Sequence, residues 1–268
     1  MKASFRSQPR KKKDLILITN DDGFFSEGIS ALYRQLKKIA EVFIVAPDRE
    51  KSASSLSLTL HRPLRVKKFK KTVYAVDGTP ADCVYLAIQK LLPGKPSLLI
   101  SGPNHGPNVG QQDISYSGTV AGAMQGAFLQ IPALAVSVLP DDKGQYNFDF
   151  SCLFTSKLAE IILANGLPSG ILLNINIPPP PVKGIKMAKL GQKHYNPEII
   201  EKIDPRKNTY FWIGTGNPQA VGGKDSDVMV IKEGYITLTP IHNDLTDYKS
   251  LHSSFFKGLT SSISHEIS

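Results

Sequence analysis

A chain of 268 residues is long enough to bury one large α/β core with an appendage, or two modest cores. No apolar stretch approaches the roughly 18–20 residues a membrane span needs, and no apolar segment long enough for a signal peptide follows the basic opening MKASFRSQPRKKKD, so a cytoplasmic protein without membrane span or signal peptide is expected. The formal net charge is +9, but Lys2, Arg6, Arg10, Lys11, Lys12 and Lys13 precede the first acidic residue, which assigns much of the excess to a basic, disordered tail at 1–13 and makes nucleic acid an improbable partner.

Apolar runs that suit buried strands then recur along the chain. LILIT (15–19) is followed by GISALYRQLKKIA, in which Ile29, Leu32, Tyr33, Leu36 and Ile39 keep the three-and-four spacing of a helix with one apolar stripe. VFIVA (42–46) comes next, and then HRPLRVKKFKK (61–71), where basic residues alternate with Leu64, Val66 and Phe69 as in an exposed strand with one apolar face. That cluster is either a solvated surface or a means of steering an anion. VYAVD (73–77) precedes a helix with Thr79 as N-cap and Pro80 at its first position, closed by Pro93 and Gly94. SLLIS (97–101), a Gly- and Ala-rich helix at 117–130, ALAVSV (133–138), a helix ending at Gly166 and ILLNINI (171–177) complete the series. Cys83 and Cys152 lie within helical segments, lack metal-ligand spacing and read as small buried apolar residues.

Strands that are apolar without alternation, separated by helices, predict an α/β fold: a Rossmann-like, mostly parallel sheet with helices on both faces, over residues 14–181. The proline run IPPPP (177–181) marks a stiff connector, after which the alternation stops. Residues 182–268 read as a smaller C-terminal α+β extension with a long hairpin and a polar helical end, a region suited to oligomerisation.

In an open parallel sheet ligands gather beyond the carboxyl ends of the strands. There Asn20, Asp21, Asp22 and Gly23 leave the first strand. Two adjacent carboxylates are a natural seat for a hard divalent cation such as Mg²⁺ or Mn²⁺, or else a solvated turn in which an Asp caps the next helix. The second strand leads into DREKSASSLSLTL, with Asp48 and Ser52, and the SLLIS strand into GPNHGPNVG, with Asn104, His105 and Asn108 held among glycines and prolines. Ser117, Gly118 and Thr119 open a helix, where free N–H groups favour an anion, although Ser117 and Thr119 also serve as simple N-caps. His105 reads as a pocket wall or as a ligand or general acid, and Asp77 as a turn former or a functional carboxylate.

Taken together, ITNDDG, VAPDREKSASSLSLTL, VDGTPADCVYLA, SGPNHGPNVG and YSGTVAGAMQG resemble the SurE family of stationary-phase survival proteins. The likeness runs in order from residue 14 to about 140 and continues more weakly to roughly 250. It implies a metal-dependent 5'-nucleotidase, active on nucleoside monophosphates and often on 3'-nucleotides and short polyphosphate. One Mg²⁺ or Mn²⁺ per subunit would be held by Asp21, Asp22, Ser52 and Asn104. Asp21, Asp22 and Asn108 would serve catalysis, while Gly23, Asn108, Ser117, Gly118 and Thr119 would bind the phosphate. A homodimer or homotetramer exchanging C-terminal elements is implied as well. Three departures bear on substrate range and loop geometry: Ala53 where the family has a glycine after the serine, Glu27 where a proline is common, and Pro103 and His105 on either side of Asn104.

Other classes fit less well. A phosphoacceptor signalling domain also places an acidic pair after its first strand; Asp77 imitates its acceptor, but Lys143 lies well past the strand that should end in lysine. A nucleic-acid-binding module would have to work through the tail. No G-x-G-x-x-G follows the first strand, and the chain lacks a G-K-S/T phosphate loop.

Overall fold

The structure, a computed structural model, describes residues 14–267 apart from 215 and 217, and the basic segment 1–13 lies outside them. In chain order the first half comprises β1 (Leu15–Thr19), α1 (Glu27–Leu36), β2 (Glu41–Pro47), β3 (Val66–Lys70), β4 (Val73–Val76), α2 (Pro80–Leu86) with a terminal π turn (Ala87–Leu91), β5 (Leu98–His105), α3 (Gly110–Tyr116) and α4 (Gly118–Phe128). The second half adds β6 (Ala133–Val138), α5 (Phe148–Asn165), β7 (Ile171–Ile177), β8 (Ile185–Met187), β9 (Gln192–His194), β10 (Ile199–Ile203), β11 (Thr209–Ile213), β12 (Gln219–Val221), α6 (Asp227–Lys232), β13 (Ile236–His242), α7 (Tyr248–Leu251) and α8 (Ser254–Ile267).

Nine strands form one sheet in the order β3-β4-β2-β1-β5-β6-β7-β13-β8. The six from β4 to β7 run parallel. Being covered on both sides, they need no polar face. In β1, Ile16 and Ile18 join the core beneath α1 and α5, while Leu17 joins the opposite core beneath α2 and α4. Each of these side chains is fully buried, and each contributes about 1.5–3 kcal/mol by leaving water. Among the described residues no helix is long and apolar enough to cross a membrane.

Antiparallel strands finish both sides of the parallel block. β3 pairs with β4 as an exposed edge whose lysines face solvent and blunt further strand addition; its Phe69 stacks on Phe24 at 4.6 Å between ring centroids. On the other side β13 lies antiparallel to β7, and β8 parallel to β13. Strands from both sides of the proline run therefore share a single sheet. The hairpin expected in the C-terminal segment is β10–β11, exposed along its whole length, with Ile203, Phe211, Trp212 and Ile213 open to solvent.

Candidate active site

The parallel sheet reverses its winding between β1 and β5, where connections depart to opposite sides and leave a crevice at the carboxyl rim. Both strands deliver polar residues there. Asn20 ties the turn after β1, its amide donating to Gly23 O at 3.0 Å and to Ser26 Oγ at 2.8 Å, while Ser26 caps α1. Gly23 takes φ +96°, and a Cβ on it would stand 2.9 Å from the Arg49 carbonyl carbon, so the turn packs directly on the next loop. Lys51 N–H donates to Asp21 O at 2.7 Å and draws the 48–55 loop across the crevice.

Asp21 is buried and Asp22 half-buried. Thr119, one residue inside α4, donates its hydroxyl to Asp21 Oδ1 at 2.5 Å. Burial nevertheless pushes the Asp21 carboxyl up to about 6, with repulsion from Asp22 adding to the effect and the Thr119 bond opposing it. Gly118 makes this approach possible, since a Cβ there would stand 2.8 Å from Asp21 Cβ and 3.0 Å from Ser54 Oγ. Ser117 caps the helix, accepting from Val120 N–H at 3.1 Å. The N-terminus of α4 thus abuts the acidic pair.

From β5, the register shifts against β6 between Ser101 and Asn104, and Gly102 takes φ +119° with its α-carbon turned onto Val136 O. This irregularity swings Asn104 and His105 toward the rim. The Asn104 amide donates to Gly106 O at 2.9 Å, which fixes its plane and leaves its carbonyl oxygen out of that turn. His105 Nδ1 lies 2.9 Å from Asp22 Oδ1 and its ring packs edge-on against Tyr146 and Phe148. The hydrogen bond with Asp22 raises the imidazole's pKa, outweighing the opposing effect of burial.

Asn108 is buried and held on four sides: its N–H donates to Asn176 Oδ1 at 2.8 Å, its carbonyl accepts from Asn174 and Asn176, and its amide donates to Ser137 Oγ at 2.7 Å. Asn174 and Asn176 hold Asn108 in place, and neither is among the residues that the sequence motifs single out. Their signal was present: two asparagines two apart in the otherwise apolar ILLNINI point to the same face of the strand. Ser54, beside Asp21 and Gly118, was passed over too.

The crevice therefore gathers Asp21, Asp22, Gly118 and Thr119, with Asn104 next to His105. Ser52 sits one residue beyond the Lys51 anchor, exposed, with its hydroxyl donating to Glu50 Oε1 at 2.7 Å. Ala53, where the family's glycine is absent, takes φ +54°, a left-handed conformation that costs a residue with a Cβ about 1–2 kcal/mol. Asp77 stands apart. It follows β4, which is separated from β1 by β2, and its carboxylate accepts from Arg62 and from Arg65 N–H; a phosphoacceptor beside the acidic pair is thereby set aside.

The donor set suits a hard divalent cation. Every candidate ligand atom is oxygen, and Asp22 Oδ2 and Ser54 Oγ are buried without a hydrogen-bond partner. Among the described residues no three His, Cys, Asp or Glu side chains are arranged so that together they could hold a metal ion, so neutral Asn and Ser oxygens would have to complete any coordination around the two carboxylates.

Fold and site define a Rossmann-like α/β protein whose switch-point crevice sets two carboxylates against the N-terminus of a helix. The family model described as "Survival protein SurE" matches residues 16–197. Relatives named "5'-nucleotidase SurE" include those of Geotalea uraniireducens, 44% identical over 239 residues (88% of this chain, 96% of the relative), and Pelotomaculum thermopropionicum, 48% identical over 245 residues (87% and 91%). The crystal structure of the SurE protein from Aquifex aeolicus superposes with a TM-score of 0.77 at 38% identity, covering 91% of this chain and 99% of that one. The chain belongs to the SurE family.

Proposed function

We propose that the chain is a metal-dependent 5'-nucleotidase that releases phosphate from nucleoside monophosphates at the Asp21–Asp22 crevice. The observation that carries the reading is the contact between the acidic pair and the N-terminus of α4, sealed by the Thr119–Asp21 bond. Carboxylates suited to a cation and helix N–H groups suited to an anion lie side by side there, the pairing that phosphoryl transfer requires. Relatives with that activity in their names match the chain over nearly their whole length.

Asp21, Asp22, Asn104 and Ser52, the last exchanging its bond to Glu50, would hold one Mg²⁺ or Mn²⁺, which supplies neutralisation of phosphate charge when bound. Gly118 and Thr119 offer backbone N–H groups to the phosphate, with Ser117 shaping the turn and Gly23 leaving room for it. Asn108, immobilised by Ser137, Asn174 and Asn176, presents its amide to a phosphate oxygen without reorganising. The Asp21 carboxylate also orients the attacking water. The water oxygen forms the new P–O bond, the bond to the sugar oxygen breaks, and the nucleoside leaves carrying a proton.

The exposed apolar hairpin β10–β11 supports assembly into a homodimer or homotetramer. Phosphate release from a panel of nucleoside monophosphates, measured with Mg²⁺, Mn²⁺ or chelator, tests the activity. Asp21→Asn and Asp22→Asn should each abolish release in a folded protein, and retained activity in either would reject the site.

A further inference from the structure

A cavity of about 420 Å³ opens beside the crevice, between the start of α1, the loop from β6 to α5 and the prolines after β7. We propose that it receives the nucleoside part of the substrate, with Tyr146 as the platform for the base; the proposal rests on the nucleotidase reading above and assigns its specificity. Three observations support it.

The first is position. His105 touches Asp22 through Nδ1 at 2.9 Å and packs edge-on against Tyr146, with 4.8 Å between ring centroids, so the cavity wall begins one imidazole away from the acidic pair. That distance is within reach of the sugar and base of a nucleotide whose phosphate sits at the acidic pair. The second is surface chemistry. The Tyr146 ring lies nearly parallel to Phe148, with centroids 5.8 Å apart and an interplanar angle of 15°, and buried Phe148 braces the partly exposed Tyr146. A braced, flat, partly open ring is a stacking surface that every base can use.

The third is charge. The cavity's ionisable lining consists of Glu27, Asp141 and Asp149 against Arg34. An excess of carboxylates repels a second phosphate and accepts hydrogen bonds from hydroxyl and amino groups, which describes a ribose and its base rather than a polyphosphate tail. Asp141 is already shaped for this lining: its Oδ1 accepts from Lys143 and Gln145 N–H, which sets the loop that carries Tyr146.

The test compares kcat/KM for adenosine 5'-monophosphate with kcat/KM for ribose 5-phosphate, which has the same phosphate and sugar but no base. Tyr146→Leu keeps bulk against Phe148 and removes the flat face; it should lower the nucleotide-to-ribose ratio about tenfold, through KM, whereas Tyr146→Phe keeps the ratio. A disturbance passed through His105 to Asp22 lowers both substrates together and leaves the ratio alone. Adenosine binding to the metal-free protein, read by saturation-transfer NMR, should weaken in Tyr146→Leu and persist in Tyr146→Phe. An unchanged ratio in Tyr146→Leu, or a wild-type protein that does not favour the nucleotide, overturns the assignment. A wild-type protein that hydrolyses neither substrate rejects the nucleotidase reading instead, and adenosine binding then decides the cavity by itself.

Discussion

Replacing Asp21 with Asn should stabilise the metal-free protein while destroying its activity. Burial and Asp22 raise the Asp21 carboxyl from 3.8 to about 6. At about 1.4 kcal/mol per pKa unit, ionising it in the folded chain costs roughly 3 kcal/mol more than in the unfolded chain. The folded-state value lies above the unfolded one, so the contribution of this carboxyl to stability is greatest below about pH 4, declines between about 4 and 6, and is least above that. Asn lacks the charge and can still accept from Thr119. In chelator at pH 8, Asp21→Asn should therefore be more stable by about 1–3 kcal/mol, at roughly 2–4 °C of melting temperature per kcal/mol for a chain of this size. At pH 4 the two proteins should melt together. Added Mg²⁺ should raise the wild-type melting temperature and leave the variant unmoved. Thermal melts at the two pH values with and without Mg²⁺ read all of this; an Asn variant no more stable than wild type at pH 8, or a gap that ignores pH, would refute the account of Asp21.

Gly102→Ala would place a Cβ 2.2 Å from Val136 O at φ +119°, and we expect a loss of more than about 3 kcal/mol in chemical denaturation together with loss of activity, because Asn104 and His105 follow directly. Asp82 is buried, closes the capping box of α2 with Thr79 and accepts from Thr59 N–H and its hydroxyl, so Asp82→Ala should cost about 2–4 kcal/mol by the same measurement and loosen the loop beyond Ser52. For His105, NMR titration of the metal-free protein should show an imidazole pKa above 6.5 that falls in Asp22→Asn. Its pairing contributes stability fully present below the unfolded value of about 6.5 and lost as pH rises through the raised one.

The parallel half of the fold was legible because each strand carries its burial in its composition. LILIT, ALAVSV and ILLNINI match β1, β6 and β7 residue for residue, and Thr79 and Pro80 start α2 as their chemistry requires. The return of β13 to the same sheet was not legible. GYITLTPI reads as a strand, but nothing local states which edge it joins, and the pairing of Thr237 with Asn176 and Thr239 with Asn174 exists only once chain segments some sixty residues apart have met. The site divides in the same way. Paired carboxylates at a strand end announce themselves, as does the helix start at Ser117. That Thr119 serves Asp21, that His105 engages Asp22 and that Ser52 faces Glu50 are long-range or rotameric facts that spacing does not encode.

Helix α4 touches the sheet along Gly118, Gly122 and Gly126, where added carbons would meet Asp21 at 2.8 Å, Ser101 Oγ at 2.6 Å and Leu99 Cδ2 at 2.4 Å. A methyl group at the middle contact, closed in by Ser101 and Thr19, would work as a shim, lifting the rod and tilting its front end off the carboxylates. Reactivity in this molecule is consequently hostage to a position one helical turn away from the carboxylates, and drift there would weaken the enzyme while every chemical group remained in place.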